Sequence, residues 1–131
     1  MGDTGPAIAL LHGLGDTGDM WQPRADVLTK DHTVVVPDPC GMGLSWHPEG
    51  SYEKVAQDAA DNQKRLAEKG KLTMPVLAIG GNHSFGDAFA GEIGFAASNV
   101  RGAVIANSGH WIMEEQPDQA IAVILPFLRA K

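Results

Sequence analysis

Cysteine is almost absent from this chain. Cys40 is the single one among 131 residues, so no internal disulfide can form. A lone thiol suits a reducing compartment, and the first residues lack the basic, long apolar and then cleavable pattern of an export signal, so a cytoplasmic location is expected. Long apolar runs are lacking as well. The longest, such as Ala7 to Leu11 and Ile121 to Leu125, fall far short of the roughly 20 residues that span a bilayer, so no membrane role is expected. Basic residues are few: 10 Lys and Arg against 16 Asp and Glu give a net charge of -6. With the cations scattered singly there is no basic footprint, and nucleic acid is excluded as a partner.

Glycine is in mild excess at 16 residues and asks for tight turns. At this length about two-thirds of the unfolded surface can be buried, enough for one ordinary core without staples. No repeat, linker or low-complexity segment interrupts the chain, so a single domain over 1–131 is expected.

Four short apolar runs end in turn residues: Ala7 to Leu11, Thr33 to Val36, Pro75 to Ile79 and Ala103 to Ala106. Continuous rather than alternating hydrophobicity predicts strands covered on both faces, as in a parallel sheet. Helical spacing fills the gaps. Met20 to Thr29 opens with Asp19 and Gln22 at capping-box separation. A second helix starts near Ser51, carries Tyr52, Val55, Ala56, Ala59, Leu66 and Ala67 on one side, and stops at Gly70. A third lies within Phe85 to Ala97, weakened by Gly86, Gly91 and Gly94. The last begins at Pro117 and is expected to bend at Pro126. Strands alternating with helices predict a doubly wound, mostly parallel α/β sheet of about four strands.

Three segments carry the candidate chemistry. The first strand runs into Leu10-Leu11-His12-Gly13-Leu14-Gly15-Asp16-Thr17-Gly18-Asp19-Met20-Trp21, a glycine-rich turn where backbone N–H groups of Gly13 and Leu14 can face a ligand and stabilise a developing oxyanion. The second strand ends in Pro37-Asp38-Pro39-Cys40-Gly41-Met42-Gly43-Leu44-Ser45. The fourth is followed by Asn107-Ser108-Gly109-His110-Trp111, where an imidazole suits proton transfer near pH 7.

Together with Leu72-Thr73-Met74-Pro75-Val76-Leu77-Ala78-Ile79-Gly80-Gly81, these segments resemble the α/β-hydrolase superfamily, and most of all its epoxide hydrolase and haloalkane dehalogenase-like branch. The resemblance covers residues 7 to about 55 and about 70 to 129. It implies that His110 is the general base, that Gly13 and Leu14 form the oxyanion turn, and that Gly41 to Ser45 is a structural turn.

The chain departs from that family in one respect that matters. No Gly-x-Ser-x-Gly, Gly-x-Asp-x-Gly or Gly-x-Cys-x-Gly nucleophile elbow occurs, and Gly80-Gly81-Asn82-His83-Ser84 has no carboxylate to partner the histidine, Asp87 being the nearest. Loss of a triad nucleophile costs roughly a million-fold, so the family mechanism does not transfer unchanged. The chain reads as a shortened member lacking the elbow and cap region. Without the two central strands of the family, the remaining four close up in the order 2-1-3-4.

Three functional readings stay open. In the first, His12, Asp38, His83 and His110 lie beyond carboxyl ends of strands on one sheet edge and bind Zn²⁺ or another divalent metal, whose activated water hydrolyses carboxylic or phosphate esters. In the second, a Cys40 thiolate attacks an ester with His110 as base. In the third, the chain is a non-enzymatic remnant that binds small apolar ligands. Exposed apolar surface, including Trp46 and Trp111, favours a homodimer.

Overall fold

The first two apolar runs pair with each other, and so do the last two. The structure is a computed structural model that describes residues 5–13, 15–38, 43–45 and 52–130, the side chains of 52–56 and 58 excepted. It divides into two compact units, Met1–Pro48 with Leu128–Lys131, and Glu49–Phe127.

In the first unit, β1 (Ala7–Ala9) lies parallel to β2 (Thr33–Val35) with Ala7 opposite Thr33 and Ala9 opposite Val35. The ladder continues past the strands, since Leu10 N–H donates to Val35 O at 2.9 Å. Between them the chain does not form the expected helix from Met20. A 3-10 helix runs over Gly18–Arg24 and gives way to α1 (Ala25–Leu28). Pro23 sits inside this segment and has no N–H to give, which disfavours a regular α-helical start. The cap is Thr17 rather than Asp19: its hydroxyl accepts from Asp19 N–H at 3.3 Å. Leu10, Trp21, Leu28 and Val34 are the buried apolar residues here.

In the second unit, α2 (Tyr52–Lys69) ends where Gly70 adopts φ 77°. A β-α-β unit follows: β3 (Val76–Gly81), α3 (Ala88–Ile93) and β4 (Val100–Ile105), with the strands parallel and in register from Val76–Val100 to Gly81–Ile105. Strand β4 begins at Val100, earlier than the apolar run suggests. Arg101 and Gly102 interrupt the hydrophobic pattern while keeping their places in the ladder. The short α4 (Ile112–Glu115) precedes α5 (Pro117–Arg129), which contains Pro126. Ala78, Ala97, Ile105, Met113, Ala120 and Ile124 are buried.

Helices between parallel strands make this an α/β fold, as expected. The order 2-1-3-4 places β2 beside β1 and β3 beside β4, which are the pairings found, each as a two-stranded sheet.

Candidate active site

Parallel pairing of β1 and β2 dictates what meets at their carboxyl ends. The offset that sets Ala9 opposite Val35 also sets His12 opposite Asp38. The His12 Nε2 stands 3.3 Å from Asp38 Oδ1, with the imidazole side chain fully buried. This is a close polar contact rather than a well-formed hydrogen bond, since Nε2 has no hydrogen-bond partner among the described residues. The other ring nitrogen, Nδ1, lies 2.9 Å from Gly13 O. Both nitrogens therefore face oxygen acceptors, and a neutral imidazole can donate to only one of them.

Asp38 has further work. Its Oδ1 accepts from Gly18 N–H at 2.7 Å and its Oδ2 from Leu44 N–H at 3.0 Å. Those two backbone donors, Gly18 first, together with His12, hold its carboxyl below the ordinary value of 3.8. Gly43 has φ 53°, and a Cβ there would fall on the Asp38 carboxylate. The aspartate thus ties the turn at 43–45 to the turn at 16–18. Beside it lies an open cleft of about 510 Å³ lined in part by Thr17, Gln22 and Val36.

The second unit presents its histidines beyond β3 and β4. Both strands run the same way, so Asn82-His83 and Ser108-Gly109-His110 leave one edge together. They are joined there: His83 N–H donates to Ser108 O at 2.9 Å, and Ser108 N–H to Asn82 Oδ1 at 3.2 Å. Close approach of the two backbones requires Gly81, where a Cβ would run into the carbonyls of Ser108 and Gly109. His83 and His110 are exposed. The His110 ring meets Trp111 edge-on, with centroids 4.9 Å apart.

One acidic residue completes this loop. The Glu115 carboxylate accepts from Gly109 N–H at 2.8 Å and from Trp111 N–H at 3.0 Å, the two amides that flank His110. Glu115 does not stand out in the sequence, because a carboxylate bonded to backbone leaves no signature in residue types.

No protein-family model matches the chain. The sequence is 33% identical over 94 residues to the soluble epoxide hydrolase of Corynebacterium sp. (strain C12), covering 70% of this chain and 29% of that protein. It is 29% identical over 114 residues to the cis-3-alkyl-4-alkyloxetan-2-one decarboxylase of Xanthomonas campestris pv. campestris, covering 79% of this chain and 36% of the relative. In three dimensions the epoxide hydrolase CorEH aligns with a TM-score of 0.66 at 16% identity, over 97% of this chain and 92% of that one. The fold is that of the α/β hydrolases. The chain spans about a third of the length of the curated relatives it matches.

On this α/β-hydrolase fold the expected site residues divide between the units. His12, Gly13 and Asp38 belong to the first, His83 and His110 to the second. Leu14, Cys40, Trp46 and His47 lie outside the described residues. Within either unit, no three His, Cys, Asp or Glu side chains gather as metal ligands among the described residues. The reason is visible for half of the expected set: His12 is buried against Asp38 and Gly13 O, and the Asp38 oxygens already serve two backbone amides. Trp111 is 39% exposed, in keeping with the surface expected of it. No helix among the described residues is long and apolar enough to cross a membrane.

Proposed function

We propose that this chain is a hydrolase of small activated carboxylic esters, strained lactones included, with His110 as general base. The observation that carries the reading is the exposed imidazole at the carboxyl edge of the β3–β4 pair, on a loop fixed at both flanking amides. One named relative supports the substrate class, its name containing an oxetan-2-one, which is a four-membered cyclic ester.

No nucleophile elbow exists in the sequence, so the attacking group is water. The His110 ring takes a proton from it as the hydroxide oxygen bonds to the carbonyl carbon. The tetrahedral oxyanion then collapses, the C–O bond to the leaving group breaks, and the imidazolium returns its proton to the departing alkoxide.

The test is hydrolysis of an activated aryl acetate and a simple β-lactone by the parent, His110→Ala and His32→Ala, each with and without a chelator. A general base contributes roughly 100- to 10,000-fold, so His110→Ala should lose at least about 100-fold while His32→Ala and chelation change little. Equal rates in parent and His110→Ala would overturn the reading. Activity abolished by chelation and restored by Zn²⁺ would replace direct water attack with the metal-activated route.

A further inference from the structure

We infer that Glu115 is the positioning residue of the His110 loop, fixing where the imidazole is presented; the inference rests on His110 acting as the base. Its carboxylate sits six residues from Gly109 and four from Trp111, and each oxygen takes one of their amides, at 2.8 and 3.0 Å. A single hydrogen bond would leave the loop free to pivot. Two, at the Ser108–Gly109 and His110–Trp111 peptide units, pin the backbone on either side of His110 and so restrict the direction of its Cα–Cβ bond.

The anchor itself is tied down. Glu115 N–H donates to Trp111 O at 2.9 Å, so the side chain and main chain of Glu115 close on the same residue from both sides. Upstream, Ser108 is fully buried and fastened to Asn82 and His83 through its backbone. Gly109 lies so close to the carboxylate that a Cβ there would stand 3.3 Å from Oε1, which favours glycine at this step. The loop is therefore fastened to the segment after β3 on one side and to α4 on the other, leaving the imidazole exposed between them.

The chemistry asks for a carboxylate specifically. Bonds to an ionised acceptor are about twice as strong as neutral ones. Both oxygens of a carboxylate accept, whereas a glutamine offers one acceptor and sets an NH₂ against the second amide donor. Glu115→Gln keeps the size and loses one arm, which separates this role from simple space-filling. Misplacing a reacting group by about 1 Å can cost about 100-fold. The loss should fall on kcat, because the anchor meets no substrate.

The experiment compares parent, Glu115→Gln and Glu115→Ala by amide hydrogen exchange at Gly109 and Trp111, and by kcat and KM on the aryl acetate. The expected result is faster exchange of at least one of the two amides in Glu115→Gln and of both in Glu115→Ala. With it, kcat should fall by about 10- to 100-fold and KM stay within about twofold. Unchanged protection of both amides in Glu115→Gln overturns the anchor whatever the activity, and that variant serves if Glu115→Ala does not fold. Faster exchange with unchanged kcat overturns the positioning role and leaves a structural cap. A failure of the base assignment shows elsewhere, as full activity in His110→Ala.

Discussion

His12 Nε2 and Asp38 Oδ1 meet 3.3 Å apart at the ends of two parallel strands, and the contact follows from strand register alone. Asp38 also receives the Gly18 and Leu44 amides, which with His12 lower its pKa in the fold. A depressed folded pKa means that the folded state binds its proton less readily than the unfolded chain. The stability it gives is therefore complete above 3.8 and disappears as the pH falls through the lower folded value. Urea denaturation of the parent across this acid range should show the midpoint falling. Asp38→Asn should be less stable at neutral pH and show a flatter acid limb; an acid limb identical to the parent's would mean that Asp38 does not supply it.

Two glycines should respond oppositely to the same change. Gly81→Ala places a methyl group against the Ser108 and Gly109 carbonyls, an overpacking that costs about 1–3 kcal/mol and pries the two loops apart. Gly91 lies inside α3 with no atom near its hypothetical Cβ, so Gly91→Ala should raise stability by roughly 0.5–1 kcal/mol through helix propensity. Thermal or urea midpoints read both. A stable Gly81→Ala would contradict the close approach of the loops.

Ser108 is fully buried, and its Oγ has no hydrogen-bond partner among the described residues. An unsatisfied buried hydroxyl costs about 1–3 kcal/mol. Ser108→Ala removes that burden and leaves only a small void, so a gain of about 1 kcal/mol in unfolding free energy is expected. A loss of that size would show that the hydroxyl is partnered after all.

The strands were legible because their apolar runs are short, uninterrupted and bounded by turn residues. The apolar run marks only part of β4, since Arg101 and Gly102 belong to it through backbone pairing while their side chains carry no hydrophobic signal. After β1 the spacing of Trp21, Ala25 and Leu28 is helical, but Pro23 leaves the first part of the segment 3-10. At the site, His12 and Asp38 are recognisable singly as residues beyond strand ends, but their meeting follows only from the register that sets Ala9 opposite Val35. Glu115 was invisible for a different reason. Its partners are amide groups, which every residue but proline possesses, so no pattern of residue types announces the bond.

Each parallel ladder also closes within a short stretch of chain, Ala7 meeting Thr33 and Val76 meeting Val100. Contacts between residues this near in sequence keep the loop-closure entropy modest. On the ribosome, all of β1 and β2 has been made before β3 exists. The amino-terminal ladder can thus assemble while the segment bearing His110 is still unsynthesised, and the two histidine edges mature in the order in which they are translated.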